Sequence, residues 1–292
     1  MSMFEGTLTA LITPFRDGQV DEPALRGLIE RQIEAGIDGV VPCGSTGESA
    51  TLSHDEHNRV VEITVEAVAG RVPVVAGTGS NSTREAIELT AHAKAAGADG
   101  ALLLSPYYNK PTQDGIYAHY AAIARECALP LIVYNIPGRT ASNIAPETIG
   151  RLAQLDHIVG VKEASGSLDQ MSHVVACCPE DFAVLSGDDS LTLPLMAIGG
   201  KGVISTSSNV VPGPLSALVR AMAAGDTAGA RRLHYELMPL FDVLFCETNP
   251  IPVKAACAAL GLCDGEIRLP LTPITEPNRN RLELVMKELG IL

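Results

Sequence analysis

Eight short apolar runs recur along the 292 residues, at 7–13, 39–44, 72–77, 100–105, 129–135, 158–164, 182–186 and 201–206. Between them lie stretches such as 23–35, 54–69, 83–96 and 113–127, whose apolar residues return at helical spacing with charges on the opposite face. Runs that are apolar on both sides belong to a parallel sheet covered by helices. Phrases such as Glu34-Ala-Gly-Ile-Asp-Gly and Lys94-Ala-Ala-Gly-Ala-Asp-Gly close a helix with glycine and reopen a strand. Eight such units count out a closed (β/α)8 TIM barrel. An open doubly wound sheet is the rival, and the strand count favours the barrel. From residue 213 the pattern offers only helices: 214–224, 227 to about 245, one after Asn249-Pro-Ile-Pro, and one from about 277 to 289. The chain divides into a barrel over 1–224 and a C-terminal helical region over 225–292, with no flexible linker and no solenoid repeat.

Charge and composition exclude several classes. Twenty-one basic and 34 acidic residues give a net charge of −13, which leaves no basic face for nucleic acid. The first 15 residues lack the basic and apolar regions of a secretion signal, and no apolar run reaches the roughly 18 residues that span a bilayer. A cytoplasmic protein without a membrane partner is expected. Seven cysteines show no CxxC or metal-ligand spacing, and they read as small buried hydrophobes in a reducing compartment.

Catalytic groups of a (β/α)8 barrel sit at the carboxyl ends of its strands. Of the six lysines, Lys94 and Lys287 fall on polar helix faces, Lys254 in the appendage, Lys201 at the wrong end of the eighth strand and Lys110 in a wet loop. Only Lys162, in Ile158-Val-Gly-Val-Lys162, ends a strand. Low dielectric at the barrel mouth would expose a neutral amine there, a Schiff-base nucleophile that turns a substrate carbonyl into an electron sink. The plainer reading pairs Lys162 with Glu163. Tyr134, penultimate in strand five, points into the same mouth and could shuttle protons; taken alone it is a half-buried tyrosine with a satisfied hydroxyl. Gly44-Ser-Thr-Gly-Glu48 ends strand two with backbone N–H groups and hydroxyls suited to a small carboxylate, or else is a capped turn. Arg139 lies on the rim, where its guanidinium suits a second carboxylate or simply water. Tyr107 and Tyr108 follow strand four, as site residues or as rim or oligomer contacts.

Other signals fail. Gly77-Thr-Gly-Ser-Asn-Ser82 has Ser in place of the third glycine and no acid ending the next strand, so it does not spell a dinucleotide site. Asp188 and Asp189 lack strand-ending histidines to complete a metal site and read as helix caps; no metal is expected.

Four motifs carry a resemblance over nearly the whole chain: Gly44-Ser-Thr-Gly-Glu48, Leu104-Ser-Pro-Tyr-Tyr-Asn109, Tyr134-Asn-Ile-Pro-Gly-Arg139 and Gly160-Val-Lys-Glu-Ala164. The sequence resembles the class I pyruvate-dependent aldolase superfamily, and within it the dihydrodipicolinate synthases most closely. The resemblance implies a Schiff-base lyase of diaminopimelate and lysine biosynthesis that joins pyruvate to L-aspartate 4-semialdehyde without a cofactor. Lys162 would form the imine and Tyr134 relay protons; Thr46 would link Tyr134 to a Tyr108 reaching in from a neighbouring subunit of a homotetramer. Arg139 would hold the semialdehyde carboxylate, the Ile204 backbone would face pyruvate, and Ser45 stands where many members carry threonine. Members inhibited by L-lysine bind it at a dimer interface, and Ser49, Ala50, His54, His57, Asn81, Glu85 and Tyr107 are the corresponding residues, Glu85 meeting the effector's ammonium. Rival readings are an N-acetylneuraminate lyase or keto-deoxy sugar acid aldolase, and a non-catalytic barrel that senses lysine or a keto acid. A short semialdehyde needs the carboxylate clamp of Arg139, whereas a sugar needs polyol hydrogen bonds.

Overall fold

A computed structural model describes residues 4–292. The eight strands are β1 (Gly6–Ala10), β2 (Gly39–Val41), β3 (Val75–Gly77), β4 (Gly100–Leu104), β5 (Leu131–Asn135), β6 (Ile158–Glu163), β7 (Ala183–Ser186) and β8 (Gly202–Ser205). All pair in parallel with their sequence neighbours, and β8 returns to β1 through Gly6–Gly202 and Leu8–Ile204. Between β2 and β3 the ladder thins to one parallel bridge, Val40–Val74, which closes the barrel. Strands and apolar runs differ at their ends: after β1 and β2 the last residues of the run leave the ladder for the rim, whereas β3, β5 and β7 start later than their runs and end with them. A two-residue hairpin, Phe15–Arg16 against Gln19–Val20, is too short for a periodicity to announce.

The helices are α1 (Glu22–Glu34), α2 (His54–Val68), α3 (Thr83–Ala96), α4 (Gln113–Cys127), α5 (Pro146–Leu152), α6 (Leu168–Cys177), α7 (Thr192–Ala197), α8 (Pro212–Ala223), and the tail's α9 (Thr227–Val243), α10 (Ile251–Ala259) and α11 (Glu276–Glu288). Side-chain oxygens start many of them. Ser53 and Glu56 form a reciprocal capping box on α2, and Ser82, Thr112 and Ser167 cap α3, α4 and α6.

Strand alternation sorts the core. Along β5, Leu131 and Val133 face outward into the cluster under α4 to α6, while Ile132 and Tyr134 face inward with Leu8, Val41, Leu102 and Ile204. The tail joins the barrel through one apolar cluster, in which Leu237, Phe241, Val253 and Leu282 pack with Ile12, Leu28, Val203 and Leu218. Among the described residues no helix is long and apolar enough to cross a membrane. The expectation that all seven cysteines are buried is corrected. Cys43, Cys127 and Cys257 are, but Cys178, Cys246 and Cys263 are half-buried and Cys177 is exposed, because α6 ends at the surface.

Candidate active site

Register decides what faces what. Tyr134 on β5 pairs with Lys162 on β6, and Asn135 with Glu163. One residue of offset reverses the face, so Lys162 and Tyr134 point into the barrel and Glu163 points away. Glu163 there accepts hydrogen bonds from Asn135 Nδ2 (3.0 Å) and Ser165 N–H (2.8 Å). The Glu163 partner offered for Lys162 is thereby excluded.

The Lys162 amine lies 4.4 Å from the centroid of the Tyr134 ring, and the residue is 5% exposed. Burial pulls its pKa down to about 8, against the nearby carboxylates of Asp188 and Asp189, which favour the charged form. At pH 8 half of such amines are neutral, whereas a lysine left at 10.5 would be neutral in roughly 0.3% of molecules. Space for the chain depends on Gly187: a Cβ there would lie 2.5 Å from Ala164 Cβ and 3.1 Å from Lys162 Cε. Burial also raises the Tyr134 phenol, which Arg139 and a hydrogen bond from Ser45 draw back.

The cavity over Lys162 is lined by Ser45, Thr46, Tyr134, Arg139, Asp188, Thr206 and Asn249. In the Gly44–Glu48 turn the N–H groups of Gly47, Glu48 and Ser49 are spent on Gly44 and Ser45 carbonyls, while those of Ser45 and Thr46 have no acceptor among the described residues. Arg139 reaches the rim from the helical turn Pro137–Thr140, its Nη2 donating to Asn249 O at 3.0 Å. Ile204 is fully buried beside Leu8 on the neighbouring strand.

Several expectations need correction. Thr46 does not meet Tyr134: its hydroxyl accepts from Asn249 Nδ2 (3.0 Å) and lies 3.4 Å from the Thr206 hydroxyl. Ser45, one residue earlier in the turn, lines the cavity together with Tyr134, and its hydroxyl draws the phenol's pKa down. Asp188 and Asp189 do not cap by their side chains. Asp189 accepts from Ser207 N–H (2.9 Å) and Ser207 Oγ (2.7 Å), and Asp188 lines the cavity, its pKa raised by burial. Tyr108, expected to serve a neighbouring subunit, needs no such correction: it is 89% exposed at φ +70° and does not line the cavity of its own chain. Asn249 escaped sequence reasoning because it acts on Thr46 across 203 positions and carries no motif of its own.

A second cleft of about 490 Å³ adjoins the first, sharing Ser45, Arg139 and Asn249 with it. It gathers Ser49, Ala50, His54, His57, Glu85 and Tyr107 with apolar Leu52, Leu89 and Leu271. Asn81 sits beside it, donating to Tyr107 O at 3.2 Å. His54 Nε2 is 2.9 Å from Glu85 Oε1, and the Ser80 hydroxyl, followed by His54, holds the Glu85 carboxyl below its ordinary pKa. His57 is not on a solvated face: its Nε2 donates to Gly77 O (2.8 Å), and burial lowers its pKa.

The pH dependence of amine capture follows. Only the neutral amine attacks a carbonyl, so the rate of trapping with pyruvate and borohydride should fall about tenfold per pH unit below about 8. Asp188→Asn removes a charge that favours the ammonium, and the limb should move to lower pH. An unmoved limb would detach Asp188 from the amine.

A (β/α)8 barrel that buries a lysine amine against a tyrosine at its carboxyl mouth has the build of a Schiff-base lyase. The family model described as the dihydrodipicolinate synthetase family matches residues 3–289. The 4-hydroxy-tetrahydrodipicolinate synthase of Syntrophus aciditrophicus is 58% identical over 290 residues, covering 99% of this chain and 100% of that one. The crystal structure of dihydrodipicolinate synthase from Aquifex aeolicus superposes with a TM-score of 0.97 at 52% identity, over 99% of both chains. That of the DHDPS from Cyanidioschyzon merolae with lysine bound gives 0.97 at 43%, over 100% of both. The chain belongs to the dihydrodipicolinate synthetase family.

Proposed function

We propose that this chain is a lyase that condenses pyruvate with L-aspartate 4-semialdehyde through an imine on Lys162, giving 4-hydroxy-tetrahydrodipicolinate for diaminopimelate and lysine biosynthesis. The observation that carries this reading is the desolvated Lys162 amine facing Tyr134 across adjacent strands. The neutral amine adds to the pyruvate ketone and water leaves. The iminium loses a methyl proton, and the enamine attacks the aldehyde. The semialdehyde's amine then adds to the iminium carbon, closes the ring and expels Lys162. Each proton moves through the Tyr134 phenol, with Ser45 beside it.

The N–H groups of Ser45 and Thr46 receive the pyruvate carboxylate, the Ile204 backbone faces pyruvate across β8, and Arg139 clamps the carboxylate of the semialdehyde. A homotetramer fits an exposed Tyr108, which a neighbouring subunit presents to this relay. Borohydride with pyruvate should fix a three-carbon adduct on Lys162, and a screen of aldehyde acceptors should single out the semialdehyde over sugars. An unmodified Lys162 refutes the reaction, and preference for a sugar assigns the chain to a sister activity.

L-Lysine occupies the second cleft, its ammonium on Glu85 in place of His54, and inhibits through the shared walls Ser45 and Arg139. Turnover should fall severalfold in millimolar L-lysine, and Glu85→Ala should release it. Undiminished turnover in the native chain would refute the effector site.

A further inference from the structure

One buried ion pair lies outside the groups that touch substrate. The sorting of lysines by strand ends set Lys254 aside as an appendage residue, yet it is 1% exposed and its ammonium pairs with Glu48, equally enclosed. We propose that the Glu48–Lys254 pair is a positioning device, which ties α10 to the Gly44–Glu48 turn and so holds the Ser45 hydroxyl against Tyr134. The proposal rests on the reaction given above and names residues that set its geometry.

Glu48 closes the turn in the left-handed backbone region (φ 54°), a conformation that costs a non-glycine residue energy and needs fixing from outside. Both fixings come from the tail. One carboxylate oxygen accepts from Lys254, and the other from the Arg268 backbone N–H at 3.1 Å. The same two residues flank one ring, with Lys254 Nζ and the Arg268 guanidinium carbon each 4.1 Å from the Phe15 centroid. Five residues before Lys254, Asn249 donates to Thr46 and accepts from Arg139. Residues 249–254 therefore hold the turn at two points that follow Ser45, at Thr46 and at Glu48.

Fold stability is a poor reason for such a pair. Desolvating two charges offsets most of their attraction, and apolar residues of like volume commonly do as well. What the charged pair adds is a single arrangement, because neither partner has another place to go, and a proton relay tolerates misplacement badly.

The double variant Glu48→Gln/Lys254→Met removes both charges together. It should still be trapped to completion by pyruvate and borohydride, with pyruvate KM close to wild type. Its kcat should fall about 10- to 100-fold, as a loosened relay implies. The limb of the kcat profile set by Tyr134 should move to higher pH, because the Ser45 hydrogen bond that draws the phenol down is loosened. Glu48→Asp keeps both charges and withdraws the carboxylate by one methylene, and should show the same split in milder form. Leu282→Ala, deep in the tail cluster, serves as the control for stability: a lower Tm with an unchanged kcat profile is expected. Wild-type kcat and an unshifted profile in the double variant, or in Glu48→Asp, overturn the proposal. So does an equal loss and shift in Leu282→Ala. A wild-type chain that pyruvate and borohydride leave unmodified overturns the proposed reaction itself, a result distinct from these.

Discussion

Lys162→Met should lose activity by at least ~10³-fold and lose its borohydride-dependent labelling by pyruvate, since among the described residues no other lysine lines the cavity. Lys94 is spent on the Cys127 and Ala128 carbonyls and Lys254 on Glu48. The same substitution should stabilise the protein. The native lysine's pKa, about 8, lies below its unfolded value of 10.5, so folding opposes protonation. That cost is complete below pH 8, shrinks between 8 and 10.5, and vanishes above. At neutral pH it amounts to about 3 kcal/mol, taking about 1.4 kcal/mol per unit. Lys162→Met should thus unfold at higher temperature than wild type at pH 7, with the difference closing as pH rises. Residual turnover above a hundredth of wild type would place the nucleophile elsewhere.

Tyr134→Phe should cost about 10²- to 10⁴-fold in kcat, the range of a positioned general acid or base, while leaving Lys162 open to trapping. Steady-state rates alongside adduct mass would separate the two steps. Ser45→Ala and Thr46→Val give the sharper comparison. Ser45 acts on the phenol, whereas the Thr46 hydroxyl is taken up by Asn249 and Thr206. The serine variant should therefore lose turnover and shift its pH profile upward; the threonine variant should chiefly weaken the grip on the rim. Equal profiles from the pair would return the relay to Thr46.

Much of this site was legible before any coordinates. Lys162 and Tyr134 were found because strand ends are visible in hydrophobic runs, and barrel chemistry lies at strand ends. The order of Ser45 and Thr46 was not legible, because two hydroxyls in a five-residue turn differ only in how the backbone turns them. Asp188 was misread for a related reason. A carboxylate after a strand looks like a cap until the backbone shows which way it faces. The pairing of Lys254 with Glu48 was not legible, because 206 positions separate them and neither carries a sign of the other.

Local order along the chain thus determined the barrel: eight two-faced apolar runs, each followed by an amphipathic helix, have few other ways to bury themselves. It also fixed which strand presents the amine, since a residue's place in its own strand is a local property. Tertiary structure alone decided the partners. Register set Lys162 against Tyr134 and turned Glu163 away, and the returning tail brought Asn249 and Lys254 onto the turn that carries Ser45. Periodicity reports which face of an element is buried, but not what the rest of the chain places against it.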